Sequence, residues 1–430
     1  MIYDKMGELV RWFRERPLTS FIFLHTLLFL AVFANLDYLT GGHGFERSFA
    51  TKILDGMLPY HDFVSEYPPL ALFSFLLPAL FFPDSAYGFF YAVEIYLLDL
   101  VVLFILAKFS SRFKWRIWNV LGVYTLCLMA MGPIVTGRFD LLPAALVLVA
   151  IYSFVSGRNK IAWGFLALGA SAKLYPLVIA PLFVLYLLRS RQYRQLIWSI
   201  AVFAAVIMLL NLPWAIISWD GFCNISNSQS FLGYHFQRDL HSESSYGLIL
   251  VVGQLRGLTQ VEANLTFGSW NIISPAADTM AGYSFYITIA FLAILYFICI
   301  RTLMKKPYGM DTKGALDNEA AQFLLRCSIM AVLIMLLTSK VFSPQFMIWL
   351  CPLIPLVNAR WRYLPLVLFL IAAAITQYIY PHNYIAFELF TPYLVVMLVI
   401  RNLLLVAMAV IYCLPVSSSP VNEEIEKSVA

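Results

Sequence analysis

Long apolar runs separated by short polar gaps are the dominant pattern of this 430-residue chain. Typical runs read "FIFLHTLLFLAVFANL", "SIAVFAAVIMLLNLPW" and "SFYITIAFLAILYFICI". Each is close to the length that an α-helix needs to cross the hydrocarbon core of a bilayer. The alternation typical of barrel strands is absent, and only helices and closed barrels satisfy their backbone groups in lipid. The pattern therefore predicts an all-α, polytopic transmembrane helical bundle.

The polar gaps carry most of the positive charge, and they predict the topology. Six basic clusters hold 20 of the 29 Lys and Arg residues, at 5–16, 108–116, 157–160, 189–194, 301–326 and 359–362. Cytoplasmic loops of membrane proteins are enriched in Lys and Arg, so we place all six clusters inside. The segments between clusters must then cross the membrane an even number of times. We expect about 12 crossings, with both termini cytoplasmic.

Two stretches between basic clusters need particular arrangements to cross an even number of times. Residues 161–188 fit as two short helices that meet near Lys173. If 17–36 and 88–107 cross in opposite directions, 68–83 becomes a re-entrant or interfacial helix, because three prolines bound or interrupt it. We expect one transmembrane domain over 1–413, with a first outer loop carrying short interfacial helices at 37–67, a second outer loop at 218–246, and a cytoplasmic polar tail at 414–430.

The composition excludes a soluble protein. Hydrophobic residues make up 61% of the chain and charged residues only 12%, whereas ordinary soluble domains carry about 25% charged residues. The mean hydropathy is +0.79. The six cysteines mostly lie inside apolar segments without paired spacing, so we interpret them as buried hydrophobic residues. The outer histidines lack the spacing of metal ligands, so we expect no metal site.

Apart from Arg401 and the tail residue Lys427, seven basic residues fall outside the cytoplasmic clusters, and they are the main candidates for function. They are Arg47, Lys52, Arg138, Lys173, Arg238, Arg256 and Lys340. Four of them lie in compact polar islands between apolar helices, which read "GRFDLLP", "SAKLYP", "FQRDLHSES" and "SKVFSPQ". Charges near membrane depth are costly and usually face a cavity or a partner. Together with the acids of the outer loops, these cations are typical of a site that holds a lipid phosphate beside acid–base chemistry.

Each island also has a simpler structural interpretation. Arg138 and Asp140 are close enough in sequence to form a local ion pair at a helix entry. The segment "QRDLHSES" is equally typical of a solvated loop with a capping serine, and Lys340 could extend from a helix end to the membrane interface. Lys173 has no acid nearby in sequence.

The order of these islands resembles the GT-C superfamily of polytopic glycosyltransferases. The motifs are most similar to glycosyltransferase family 87, which groups polyprenyl-phosphate mannosyltransferase-like proteins. The first-loop pattern of that family falls on Ala50, Gly56, Pro59, Tyr60, Asp62, Phe63, Glu66, Tyr67, Pro68 and Pro69. Later family-like residues are Arg138, Asp140, Lys173, Pro176, Arg238, Glu243, Ser244, Lys340, Ser343, Pro344, Gln345 and Trp349. The resemblance spans roughly residues 35 to 350.

This sequence has a different residue at the position of the family's first-loop aspartate. It usually lies eight residues before the matched alanine, a position occupied by Gly42. A short insertion would restore Asp37 to that place. Glu46 is the alternative acid, and Asp62 or Glu66 could carry the role instead.

The resemblance implies an inverting transferase that takes a sugar from a polyprenyl phosphate on the non-cytoplasmic face. A carboxylate would deprotonate the acceptor hydroxyl as the lipid phosphate leaves, and fixed cations would stabilise the growing phosphate charge. We expect Asp37 as the base, with Glu46 and Asp62 as alternatives, and a donor phosphate bound by Lys173, Arg238, Lys340 and Arg138. Substrate contacts are expected from Tyr60, Glu66, Tyr67, Asp140, Glu243, Ser244 and Gln345.

The expected donor is a polyprenyl-phosphate-linked sugar, mannose first, and the acceptor is a lipid, glycan or protein. No cofactor and no nucleic-acid partner are expected, and a divalent metal is left open. A prokaryotic source would place the protein in the plasma membrane.

A secondary transporter and a non-catalytic lipid-binding subunit are the alternative functions. A transporter would show inverted repeats and a central path with gates on both sides, but the two halves lack convincing similarity. A non-catalytic subunit would not need ordered acid and base islands. The enzyme hypothesis requires an acid, either Asp37 or Glu46, to converge with Lys173, Arg238 and Lys340 on one cavity.

Overall fold

The fold is almost entirely α-helical, as the sequence predicts. The computed structural model describes residue 8 and residues 11–33, 44–82, 84–305 and 314–414. Asp37 and most of the polar tail (415–430) lie outside the described residues, so the expectations placed on them stay predictions.

The first half of the described chain is a series of helices, some of them separated by short helical turns. The helices are α1 (Pro17–Leu28), α2 (Gly44–Leu54), α3 (Pro69–Phe81), α4 (Tyr87–Phe113), α5 (Ile117–Met131), α6 (Leu141–Val155), α7 (Asn159–Ala172), α8 (Ala180–Arg189) and α9 (Tyr193–Ile217). Short turns lie at Phe29–Phe33, Asp84–Ala86, Ile134–Gly137, Tyr175–Ile179 and Trp219–Phe222.

The second half adds a small sheet and further helices. They are α10 (Phe231–Gln237), β1 (Leu240–His241), α11 (Ser245–Leu255), β2 (Glu262–Thr266), β3 (Ser269–Ile273), α12 (Pro275–Lys305), α13 (Asn318–Thr338), α14 (Leu364–Gln377) and α15 (Pro392–Cys413). Short turns lie at Pro344–Leu350, Ile354–Leu356, Tyr378–His382 and Tyr384–Glu388.

Six helical segments of the described chain are long and apolar enough to cross a membrane: Tyr87–Phe113, Tyr193–Ile217, Pro275–Lys305, Asn318–Thr338, Leu364–His382 and Pro392–Cys413. Seven shorter apolar helical segments of 10–17 residues accompany them. The protein is therefore an integral, multi-pass membrane protein. The expected count of about 12 crossings stays a prediction, because length alone does not decide whether the shorter helices cross.

The region around Lys173 folds as two short helical segments, as predicted. Helix α7 ends at Ala172, and a 3₁₀ turn that leads into α8 begins at Tyr175. Lys173 between them is extended, with φ −160° and ψ 143°. Since α7 packs against both α6 and α9, its last turn holds Lys173 in the interior of the bundle. Helix α3 lies within 68–83, so this segment is helical as predicted, and its re-entrant or interfacial placement stays a prediction.

The three-stranded antiparallel sheet, ordered β1–β3–β2, was not predicted. Strands β2 and β3 are joined by a tight turn in which Phe267 and Gly268 both have positive φ values, as in the primed turns of β-hairpins. The sequence "ANLTFGSWNII" contains too few alternating positions to stand out beside the long apolar runs.

A buried ion pair fixes the region after β1 to the last helix. Arg401 on α15 is fully buried, and its Nη1 donates to Oε2 of Glu243 at 2.7 Å. Its Nη2 also donates to the Glu243 backbone carbonyl at 3.1 Å. Ser244 caps α11 by accepting a hydrogen bond from the Gly247 N–H. The segment "QRDLHSES" therefore contains the expected capping serine, but Ser242, Glu243 and Ser244 are buried, unlike a solvated loop.

Removing one partner of this pair should strongly destabilise the protein. Arg401→Met leaves the Glu243 carboxylate buried and unpaired, so we expect the free energy of unfolding to fall by about 3–5 kcal/mol. The double variant Arg401→Met/Glu243→Gln should recover most of that loss. Denaturant unfolding of purified protein in micelles measures both, with the exposed Arg360→Met as a control. Equal stability of the single and double variants would contradict the pairing.

Candidate active site

A cavity of about 320 Å³ brings together four cations from distant parts of the chain. It lies where α3, α6 and α7 begin or end, beside the β2–β3 turn and the chain that follows α13. Its polar lining residues are Glu66, Tyr67, Arg138, Lys173, Tyr175, His235, Arg238, Ser269, Ser339, Lys340, Ser343 and Gln345. Seven of the predicted site residues therefore meet in one place: all four phosphate-binding candidates, together with Glu66, Tyr67 and Gln345.

Lys173 pairs with Asp140, the carboxylate that the sequence suggested as a local partner of Arg138. Its Nζ donates to Oδ1 of Asp140 at 2.6 Å, and the indole Nε1 of Trp349 donates to the same oxygen at 2.7 Å. The ammonium also lies over the rings of Phe139 and Phe346, 4.7 and 4.5 Å from their centroids. Asp140 is fully buried and therefore positions Lys173 from behind the cavity wall.

Arg138 is paired with Glu46, not with Asp140 two residues away. Its Nη1 lies 3.2 Å from Oε1 of Glu46, and its Nη2 donates to the Tyr380 hydroxyl at 3.1 Å. Glu46 has no exposed surface. Burial raises the pKa of its carboxyl, although Arg138 opposes that shift. The local Arg138–Asp140 pair considered from the sequence is therefore wrong, and Glu46 stands behind Arg138, outside the cavity lining.

Arg238 and Lys340 carry positive charge that no acidic side chain pairs with in the described chain. Arg238 donates from Nη2 to the Ser269 hydroxyl at 2.7 Å, and its buried Nε has no hydrogen-bond partner among the described residues. Lys340 donates to the backbone carbonyls of Phe236 and Arg238, at 2.9 and 2.5 Å. It therefore folds inward and does not extend toward lipid. Burial, followed by the neighbouring Arg238, lowers the pKa of Lys340 to about 8, although Asp239 opposes this shift without forming an ion pair.

Glu66 is the acid whose side chain lines the cavity. A Cβ added to Gly268 would lie 3.8 Å from its Oε2, so the carboxylate faces the β2–β3 turn. His235 Nε2 lies 3.0 Å from the backbone carbonyl of Glu66. Burial and Arg238 lower the pKa of His235 to about 4. The neutral ring therefore donates to that carbonyl and fixes the backbone that carries Glu66.

Tyr60 and Tyr67 shape the loop that presents Glu66. The Tyr60 hydroxyl donates to the Tyr67 backbone carbonyl at 2.6 Å, and the Tyr60 ring packs edge-on against Phe222. The Tyr67 ring packs in the same way against Phe75. Tyr60 is buried outside the cavity lining, so its side chain supports the loop.

The remaining predicted residues that the structure describes do not reach the cavity. Asp62 is exposed and accepts hydrogen bonds from the Leu58 N–H and His61, both at 2.7 Å. The Leu58 N–H, followed by His61, lowers the pKa of Asp62. Glu243 and Ser244 are used by the Arg401 pair and the helix cap described above. Asp140 and Glu46 act through the cations that they hold.

Sequence reasoning missed several contributors to the cavity. Ser269 and Gly268 reach it through the unpredicted hairpin, and the only local signal is the Phe-Gly turn. The sequence indicated only that His235 is one of the outer histidines without the spacing of metal ligands. Within the described residues, no group of three His, Cys, Asp or Glu side chains is placed to hold a metal ion.

The cavity is suited to an anion with an apolar extension. Two of its cations are balanced by Asp140 and Glu46, whereas Arg238 and Lys340 are not, so the lining favours a bound negative charge. Leu174, Met335, Leu336 and Phe346 form its apolar wall. Glu66 lines the same space.

Comparisons with known proteins identify the family of this chain. A search of curated proteins by sequence gives no match. The crystal structure of ArnT from Cupriavidus metallidurans bound to undecaprenyl phosphate is similar, with a TM-score of 0.47 and 11% identity, over 92% of this chain and 77% of that chain. The model of glycosyltransferase family 87 matches residues 63–304. Because that match covers more than half of the chain, this membrane protein belongs to glycosyltransferase family 87.

Proposed function

We propose that this glycosyltransferase moves a sugar, mannose first, from a polyprenyl-phosphate donor to a lipid, glycan or protein acceptor on the non-cytoplasmic face. The observation that carries the proposal is the pair of unbalanced cations, Arg238 and Lys340, in a cavity with one apolar wall. A phosphate attached to an isoprenoid chain needs both features, and undecaprenyl phosphate is the molecule bound in the ArnT structure.

The donor phosphate would lie between Arg238 and Lys340, with Lys173 on its other side. An Arg offers a bidentate, planar hold on phosphate, and a Lys acts as a compact point charge. When the sugar–phosphate bond breaks, the leaving lipid phosphate gains negative charge. Cations fixed before the reaction stabilise that charge without reorganisation. Asp140 and Trp349 contribute by holding Lys173 in place.

Glu66 is the described carboxylate placed best to act as the base. It would take the proton of the acceptor hydroxyl while the oxygen attacks the anomeric carbon, and the phosphate would leave from the opposite side with inversion. Glu46 is unsuited, because its carboxylate pairs with Arg138 away from the cavity. Asp62 hydrogen-bonds within its own turn. Asp37, outside the described residues, remains the alternative base.

A non-catalytic lipid-binding subunit would share the cations and the apolar wall. It would not require the carboxylate of Glu66, so a substitution of Glu66 distinguishes the two functions.

Glu66→Gln should abolish transfer but preserve donor binding. General-base removal typically costs 10²–10⁴-fold in rate, so we expect kcat to fall by about 100-fold or more. The affinity for polyprenyl phosphate should change by less than about threefold. A transfer assay with purified protein and labelled polyprenyl-phosphate mannose measures the first quantity, and titration with polyprenyl phosphate measures the second.

The exposed Asp55→Asn is a matched control on the same loop and should retain activity. Asp37→Asn, Glu46→Gln and Asp62→Asn are measured in parallel. Full activity of Glu66→Gln together with loss in Asp37→Asn would transfer the base role to Asp37. Full activity in all four acid variants would contradict carboxylate catalysis.

The pH dependence of kcat/KM should reflect the protonation of Lys340. Its lowered pKa of about 8 means that the free enzyme loses this charge as the pH rises through 8. We therefore expect kcat/KM to fall above about pH 8, since kcat/KM reports groups of the free enzyme. Lys340→Arg keeps its charge at high pH and should remove this alkaline decline. An unchanged decline in Lys340→Arg would assign the titration to another group.

A further inference from the structure

A second basic cavity lies at the opposite end of α7 from Lys173. Helix α7 has 14 residues, so its ends are about 20 Å apart at 1.5 Å per residue. The second cavity occupies about 610 Å³ between the first turns of α7 and α9. Its lining residues are Gly157, Arg158, Asn159, Lys160, Ile161, Arg194, Gln195, Trp198 and Ser199.

The lining carries three cations and no acid. Arg158, Lys160 and Arg194 are all exposed. No ion pair involves them in the described part of the chain, and Lys160 lies over the Trp198 ring, 5.4 Å from its centroid. The first turns of α7 and α9 both line this cavity, and helix N-termini favour anions.

Buried polar atoms in the lining also point to a ligand. Ser199 is fully buried, and its Oγ has no hydrogen-bond partner among the described residues. Asn159 is 5% exposed. Its Nδ2 donates to Gln195, but its Oδ1 is unpartnered. Unpaired buried polar groups are costly and uncommon. A phosphate oxygen would accept from Ser199, and a headgroup hydroxyl would donate to Asn159.

The surroundings favour a lipid over a soluble anion. Trp198 and Ile161, in the cavity wall, are about half exposed, at 53% and 48%. Further along α9, the outward face is apolar, and none of its membrane-spanning window is buried within the protein. A Trp beside Lys and Arg at a helix end is typical of the membrane–water interface. Basic pockets between membrane helices are known to bind anionic lipid headgroups.

We propose that the cavity between the N-termini of α7 and α9 binds the headgroup of an anionic glycerophospholipid, with its acyl chains along α9. This site lies on the face opposite the sugar-transfer cavity, and it does not depend on the proposed transfer reaction. The bound headgroup would neutralise the three clustered cations at the first turn of α7. The last turn of the same helix positions Lys173.

The test compares three ligands on the purified full-length protein in neutral detergent. Short-chain phosphatidylglycerol should be retained in native mass spectra and should raise the unfolding temperature. Phosphatidylcholine of the same chain length should bind at least about tenfold more weakly. Inorganic phosphate distinguishes a lipid from a free anion: binding as tight as that of phosphatidylglycerol would overturn the lipid assignment.

Charge variants localise the site. Arg158→Gln/Lys160→Gln/Arg194→Gln should weaken phosphatidylglycerol binding by at least about tenfold. The control Lys108→Gln/Arg301→Gln/Arg360→Gln removes the same charge from exposed positions outside both cavities and should change binding by less than twofold. An equal loss in both triple variants would show nonspecific surface attraction and overturn the proposal.

Ser199→Ala keeps every charge and tests the built site itself. We expect it to weaken phosphatidylglycerol binding about threefold or more while leaving the unfolding temperature of the lipid-free protein unchanged or higher. Unchanged binding in Ser199→Ala, even with a loss in the charge variant, would overturn the assignment of this cavity as the binding site.

Discussion

The cavity depends on the ion pair between Asp140 and Lys173. Burying the Lys173 ammonium without a partner would cost free energy of folding. Burying the Asp140 carboxylate without a partner would also do so. One carboxylate oxygen receives both the Lys173 ammonium and the Trp349 indole. This arrangement ties the end of α7 to the start of α6 and to the chain after α13. Three distant segments thereby meet around one space.

The same principle divides the four cations into two roles. Glu46 balances Arg138 as Asp140 balances Lys173, so these two residues build the wall and contribute limited net charge. Arg238 and Lys340 bind neutral groups instead, a serine hydroxyl and backbone carbonyls. The resulting positive potential is available to a ligand. Charge balance, more than proximity, therefore distinguishes structural cations from candidate phosphate ligands.

The sequence predicted the helical class and the four cations that meet at the cavity, because both follow from local signals. The length of the apolar runs predicts membrane helices, and the cations outside the predicted cytoplasmic clusters include the four that line the cavity. Ion-pair partners were not predictable in this way. Arg138 and Asp140 are neighbours in sequence, but Arg138 is extended while Asp140 begins a helix. Their side chains find partners 92 and 33 residues away.

The β2–β3 hairpin escaped prediction for a related reason. Its strands contribute Ser269 and a glycine turn to the cavity, yet they are too short for their alternation to be recognised. Arg401 was excluded from the candidate cations, whereas the fold pairs it with Glu243. Partner choice in a low-dielectric interior is a tertiary property, which single-sequence periodicity does not encode.

The most direct measurement is an experimental structure of the protein with polyprenyl phosphate bound. We expect phosphate oxygens at hydrogen-bond distance, about 3 Å, from the Arg238 guanidinium and the Lys340 ammonium. The first isoprenoid units should lie along Met335 and Leu336. A phosphate bound elsewhere, with Arg238 and Lys340 unliganded, would contradict the central claim that these two unbalanced cations hold the donor.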